Sequence, residues 1–294
     1  MKTRSAISEL AREAKNRLRL MSRGGATSGY KMNAMSKEDC SLYEKVCSSY
    51  YGKYWKITTD LDLTSNRANF NGFSGYIDGN LHTIKINLNH GSLFGTTTAV
   101  MEVHDLTIDT TGTYYSSVSE SSNFGILLDQ YTGESLTPNF YGIHICGDGM
   151  ITVDLASSGN YFVSVGSLIG ENGGGILAEI FVEGITINVI ANGSSSSGSN
   201  GDDNTNQGYY YFGGIVGYMN NTYMDSNGNV RTGAIDTCLW TGTITFGGYM
   251  SGTDGREIAI GGITGCGSPA ACINQGTITY DYHGSKADGT NIGG

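Results

Sequence analysis

Four aspartates stand where short apolar strands give way to turns: Asp105, Asp109, Asp148 and Asp154, with His144 near them in sequence. Two carboxyl groups held roughly 5–10 Å apart can act as acid, base or nucleophile in glycoside chemistry. Asp105, Asp148 and Asp154 are therefore the candidates for catalysis, of a polysaccharide hydrolase or lyase. Aspartate is also an ordinary turn residue, and Asp60, Asp62 and Asp78 read in that way. The sequence leans to no catalytic residue.

A second kind of chemistry is stacking. Of 19 tyrosines, Tyr209, Tyr210 and Tyr211 form one run, Tyr114 and Tyr115 another, and Tyr50 and Tyr51 a third. A tyrosine offers a flat apolar face and a hydroxyl, which suits a sugar ring. Tyr209, Tyr210, Tyr211, Tyr114 and Tyr115 are the candidate ligand contacts; the alternative is that alternate tyrosines pack inward. No metal site and no cofactor are assigned. Asp202, Asp203 and Asn204 cluster oxygen ligands as calcium requires, but without the positional pattern of a calcium loop. The stretch from Asp225 to Asn229 begins like one and lacks the terminal Glu. The six cysteines form no CxxC pair. Cys238 and Cys272 fall at equivalent places of successive repeats and read as stacked interior residues, with a disulfide ladder as the alternative.

The elements that must position these groups are set by a recurring phrase: Val165-Gly166-Ser167-Leu168-Ile169-Gly170, Phe212-Gly213-Gly214-Ile215-Val216-Gly217, and Ile260-Gly261-Gly262-Ile263-Thr264-Gly265. A diverged copy begins at Phe124-Gly125, and Ile292-Gly293-Gly294 begins another. The marker glycines at 125, 166, 213, 261 and 293 are spaced by 41, 47, 48 and 32 residues. Such a period, with short apolar strands between glycines, is the signature of a solenoid. With 45 Gly and 2 Pro in 294 residues, composition agrees. Ile215, Ile235, Ile244, Ile263, Ile273 and Ile278 are expected to form inward ladders.

The net charge of −10 leaves no basic stripe for nucleic acid. No apolar run approaches the roughly 20 residues of a membrane span, and no secretory signal follows Met1. Residues 5–21 place Ile7, Leu10, Ala11, Ala14, Leu18 and Met21 on one face of an amphipathic helix. Residues 22–36 read as a linker, 36–48 as a second helix, and Asn192 to Gly208 as a mobile loop. The domain reading is residues 1–50 as a helical cap or attachment segment and 51–294 as the repeat domain.

Asp60-Leu61-Asp62-Leu63, then Phe70-Asn71-Gly72 through Ile77-Asp78-Gly79-Asn80-Leu81-His82-Thr83-Ile84, then Gly91-Ser92-Leu93-Phe94-Gly95, then the Gly-Gly-Ile-x-Gly repeats with Gly242-Thr243-Ile244-Thr245 and Gly276-Thr277-Ile278-Thr279, resemble GLUG-motif right-handed β-helix proteins. The resemblance covers residues 55 to 294. It implies an all-β fold, a right-handed parallel β-helix (solenoid) of about six coils, preceded by a short N-terminal α-helical segment. It implies nothing about catalysis.

The last repeat phrase breaks off at Gly294, so a longer chain or another subunit is expected to close that end. With the free amphipathic helix and the missing signal, this favours a non-enzymatic structural protein of a phage tail or contractile particle, a fibre or spike. Its expected partners are a host cell-surface polysaccharide or receptor, and the baseplate or sister subunits, as in a homotrimer, through the N-terminal helix. The alternatives are a bacterial cell-surface or secreted adhesin and a β-helix polysaccharide-degrading enzyme.

Overall fold

Alternation of apolar and polar residues over four to eight positions builds strands with one buried side, and here the strands stack coil on coil. The structure, a computed structural model, describes residues 33–35, 53–65, 72–133, 139–155, 161–194, 208–220, 223–224, 230–231, 233–251, 256–282 and 290–293. All of its long sheets are parallel, and each strand pairs with its counterpart in the neighbouring repeat. The protein is all-β, with the architecture of a parallel β solenoid.

One coil visits four faces in order. Phe162–Gly166 lies on face I, Ile169–Asn172 on face II, Ile176–Ala178 and Phe181–Val182 on face III, and Thr186–Ser194 on face IV. The next coil repeats this with Gly208–Gly213, Val216–Met219, Ala234–Asp236 with Leu239–Trp240, and Thr243–Ser251. Among the described residues, faces I, II and IV each hold five strands and face III eight layers. The marker glycines stack as the repeat phrase requires: Gly166 opposes Gly213, Gly213 opposes Gly261, and Gly261 opposes Gly293. Thr243, Ile244 and Thr245 likewise oppose Thr277, Ile278 and Thr279.

Face III is bent in each coil by a residue in the left-handed region: Asp105, Gly142, Glu179, Thr237 and Ala271 have φ of 53°, 61°, 55°, 54° and 50°. The kink aims the next residue inward, and Leu106, Ile143, Ile180 and Cys238 are all buried. Cys272 follows Ala271 in the same column, so the stacked reading of the two cysteines holds; all four described cysteines are free thiols. Beyond the kink, Ile84, Ile108, Ile145, Val182 and Trp240 form a buried ladder.

Four expected ladder residues, Ile215, Ile235, Ile244 and Ile263, are buried. Ile278 points inward but is half-buried, because it belongs to the last described layer of face IV. Ile273 is 46% exposed. Its partner is Leu239, in line with Phe181, which places it on the outer surface of face III. The kink before Cys272 decides this, since the cysteine takes the inward place.

The strand Asn33–Met35 pairs with Trp55–Ile57 on face III, within the stretch read as a linker. Asn192–Ser194, expected to open a loop, instead continues the face IV strand opposite Tyr249–Ser251. The expected helices at 5–21 and 36–48 and the remainder of that loop lie outside the described residues.

Candidate functional site

The repeat phrase forces faces I and II together. A Cβ on Gly170 would lie 2.6 Å from the Phe124 backbone nitrogen, and one on Gly265 2.6 Å from that of Phe212. Only glycine permits this approach. Ser164, on the side of face I away from Val163 and Val165, is consequently buried and donates to the Gly170 carbonyl at 2.6 Å.

Farther from the corner the outer side chains of the two faces meet along a lateral seam. The Tyr211 and Tyr218 rings have centroids 4.9 Å apart, and Phe162 meets Tyr218 edge-on at 5.3 Å. Tyr209 lies beside Tyr211, nearly parallel, at 6.3 Å. Polar groups border the rings: Asn123 Nδ2 and Gln130 Nε2 both donate to Glu171 Oε2, at 2.7 and 2.8 Å, and the Tyr211 hydroxyl reaches Glu257 Oε1 at 3.5 Å. Burial, and then the Glu257 charge, push the Tyr211 hydroxyl pKa above its ordinary value. Burial does the same to Tyr218. Both therefore remain hydroxyl donors at neutral pH. The arrangement combines flat ring faces with fixed acceptors and amide groups, a chemistry suited to polyhydroxylated ligands.

The candidate tyrosines divide by strand alternation. Tyr209 and Tyr211 take part in the seam, Tyr209 half-buried and Tyr211 only 6% exposed at its floor. Tyr210 is buried between them in the core, with Val163 and Ile258 as its ladder partners. Tyr114 opposes the buried Ile151 and stacks on Phe124 at 3.6 Å, inside the coil. Tyr115 is 58% exposed on face IV and donates to Asp154 Oδ2 at 2.9 Å. Consecutive tyrosines cannot all face solvent on one strand, so Tyr210 is a core residue and Tyr114 a half-buried one packed against the core. Phe162 and Tyr218, which sequence reading passed over, complete the seam. Tyr218 sits one residue beyond the repeat glycine Gly217, a position that register alone makes outward.

The candidate acids Asp105, Asp148 and Asp154 fall on different parts of the coil. Asp105 occupies the face III kink; Asp148 is exposed at the turn from face III to face IV; Asp154 ends a face IV strand. Asp105 opposes Gly142, six residues before Asp148 along the chain, while Asp109 opposes Cys146 and lies nearer Asp148, whose backbone nitrogen donates to the Thr110 carbonyl at 3.1 Å. Asp62 and Asp78 behave as turn residues, accepting from the backbone nitrogens of Thr64 and Asn80, whereas Asp60 accepts from the Thr83 backbone nitrogen of the next coil and so ties two coils together. His144 stacks on Phe181 at 4.7 Å on the outer side of face III.

Two further groups stand out. Asp129 occupies the place held by Gly170 and Gly217 in later repeats. Burial raises its carboxyl pKa to about 6, against hydrogen bonds from Ser92 and the Gly125 backbone. On the outer side of face III, Lys56, Asp78, His104 and Tyr141 form a cross-strand column. His104 stacks on Tyr141 at 4.8 Å. Burial lowers the His104 pKa, but the Asp105 hydrogen bond and the charges of Asp78, Asp105 and Glu102 outweigh it and raise the value.

Fold and seam define the chain as a β solenoid with an aromatic and carboxylate strip along one side. No protein-family model matches the chain, and no curated protein or solved structure does. Among the described residues no helix is long and apolar enough to cross a membrane. The candidate calcium stretches at 202–204 and 225–229, and Tyr50 and Tyr51, lie outside the described residues.

Proposed function

We propose that the protein is a non-enzymatic, structural β-helix that binds a glycan along the seam between faces I and II. The observation that carries this reading is the contiguous strip of Phe162, Tyr209, Tyr211 and Tyr218 bordered by Glu171 and Glu257. Rings stack on the apolar faces of sugars while carboxylates and amides take their hydroxyls. The carboxylates and the net charge of −10 favour neutral over acidic polysaccharide. A solenoid repeats such contacts along its axis, so a chain of sugars suits it better than a single unit.

In its finer form the reading is a right-handed coil of GLUG type, borne on a phage tail or related particle as fibre or spike, with the stripe of residues 5–21 docking it to a baseplate or sister subunits. Asp105, Asp148 and Asp154 stand at a kink, a turn and a strand end, and the aromatic strip lies on other faces, which supports binding over cleavage. An adhesin would use the same seam.

The test is binding of the full chain to neutral polysaccharides, with Tyr218→Ala alongside. The half-exposed Tyr218 ring is removable without opening the core, and affinity should fall about tenfold, corresponding to one stacking contact. Equal binding by the variant would refute the seam. Depolymerisation of the glycan would refute the non-enzymatic part.

A further inference from the structure

We propose that Asp78, His104 and Asp105 form a divalent metal site on the outer side of face III, with a transition cation such as Zn2+ as its ion. The donors come from two neighbouring coils, since Asp78 and His104 are direct cross-strand partners and Asp105 follows His104. His104 Nδ1 lies 3.1 Å from Asp105 Oδ2 and 3.9 Å from Asp78 Oδ1. One donor atom from each of the three residues falls within 4.8 Å of the others. Even at that widest spacing one point lies about 2.4 Å from all three, close to the 2.0–2.2 Å at which nitrogen and carboxylate oxygen bind zinc.

Two of the three donors, Asp78 and His104, are also held from behind, as metal ligands are. Asp78 Oδ2 faces Lys56 Nζ at 3.4 Å, and its Oδ1 accepts from the Asn80 backbone nitrogen at 2.7 Å. Lys56 therefore pairs with the oxygen that the metal does not need. The His104 ring is fixed face to face on Tyr141, and its Nε2 points toward Glu102 Oε1 at 3.9 Å. Tyr141 in turn donates its hydroxyl to Glu102 at 3.1 Å. Three carboxylates thus surround one imidazole and one ammonium, an excess of negative charge that a dication neutralises.

Partial exposure leaves an entry path, since the His104 and Asp78 side chains are 20% and 18% exposed. Three protein ligands of this type leave a fourth position for water or an external ligand. Imidazole in the set favours zinc over calcium, which takes six to eight oxygens. The ion would clip two coils together at the end of face III that the chain enters first.

The experiment is calorimetric titration of the full chain with Zn2+ and, separately, Ca2+ at pH 7.5, with the Co2+ spectrum as a second readout. One Zn2+ per chain is expected, Ca2+ should not compete, and Co2+ should show no thiolate charge-transfer band. His104→Gln and Asp105→Asn should each weaken Zn2+ at least tenfold. Asparagine tolerates the left-handed backbone at 105, and circular dichroism of both variants checks that the strands persist. Absence of stoichiometric Zn2+ binding, undiminished binding by both folded variants, or a thiolate band from cysteine ligation would each overturn the proposal.

Discussion

Tyr211 on face I and Tyr218 on face II bring their rings to a centroid distance of 4.9 Å although the two strands belong to different sheets. The contact exists because Gly217, between Val216 and Tyr218, carries no side chain to hold the sheets apart: a Cβ there would collide with the Val165 backbone nitrogen and the Ser164 hydroxyl. Gly217→Val should therefore separate the faces and abolish glycan binding along with several kcal/mol of stability, in the range of about 3 expected for overpacking a filled site. Urea denaturation and polysaccharide binding measured on the same sample check both consequences. A variant of native stability and affinity would show that the close approach is dispensable.

Asp129 supplies a pH prediction. Its folded pKa of about 6 lies above the ordinary 3.8. Between those values the folded chain binds more protons than the unfolded one, so stability falls as pH rises through that window. At pH 7 the penalty is about 3 kcal/mol, from roughly 1.4 kcal/mol per unit. Asp129→Asn keeps one acceptor oxygen toward the Ser92 hydroxyl and the Gly125 nitrogen and removes the buried charge. Its melting temperature should exceed that of the parent at pH 7 and match it near pH 4. Equal melting curves at both pH values would contradict the buried-carboxylate account.

Trp240 is fully buried and lies in a slot left open by three glycines. Cβ atoms on Gly214, Gly242 and Gly276 would all strike its ring, the one on Gly242 at 2.7 Å from Nε1. Trp240→Ala should cost about 3–5 kcal/mol, and Gly242→Ala should also destabilise, by overpacking. The double variant Trp240→Ala with Gly242→Ala should lose less than the sum, because the clash with the ring disappears and only the contact with the Ile185 carbonyl remains. Additive losses in chemical denaturation would deny that the glycines serve the tryptophan.

Cys238 and Cys272 stand at equivalent places in adjacent layers, with the Ile273 nitrogen bonded to the Cys238 carbonyl at 2.8 Å. A thiol–thiol hydrogen bond raises the pKa of Cys238 and lowers that of Cys272. Parallel neighbours about 4.8 Å apart satisfy disulfide geometry. With glutathione disulfide, the Cys272 thiolate should form a mixed disulfide and release one glutathione thiolate, and Cys238 should displace the second. Intact mass should fall by two hydrogens, and stability should rise by roughly 3 kcal/mol. Accumulation of the stable mixed disulfide alone would contradict the expected pairing.

The fold was legible where residue type and period act together. Glycines at 166, 213 and 261 announce a corner that only glycine can make, and the stacked threonines at 243 and 277 follow the same alignment. Ile273 was misplaced because its direction depends on a left-handed Ala271, which alternation alone does not reveal. The seam was half legible. A tyrosine run signals aromatic surface, but only the register separates Tyr209 and Tyr211, which point to the seam with Tyr211 just 6% exposed, from Tyr210, which points into the core. Glu171 and Tyr218 occupy one outward column across two coils, which becomes visible only when the repeats are aligned residue by residue. The Asp78, His104 and Asp105 cluster was hidden because its members come from different coils, and Asp78 also does the work of a turn.

Hydroxyl-radical footprinting of the full chain with and without a bound neutral polysaccharide reads out directly whether the seam between faces I and II holds the glycan. Tyr54 and Tyr76 are cross-strand partners on face III whose rings stack at 4.2 Å, and glycan held along the seam should protect Tyr209 and Tyr218 while leaving this pair and Tyr115 on face IV as reactive as before. Protection of Tyr54 and Tyr76 or of Tyr115, with Tyr209 and Tyr218 unchanged, would place the ligand elsewhere and contradict the account.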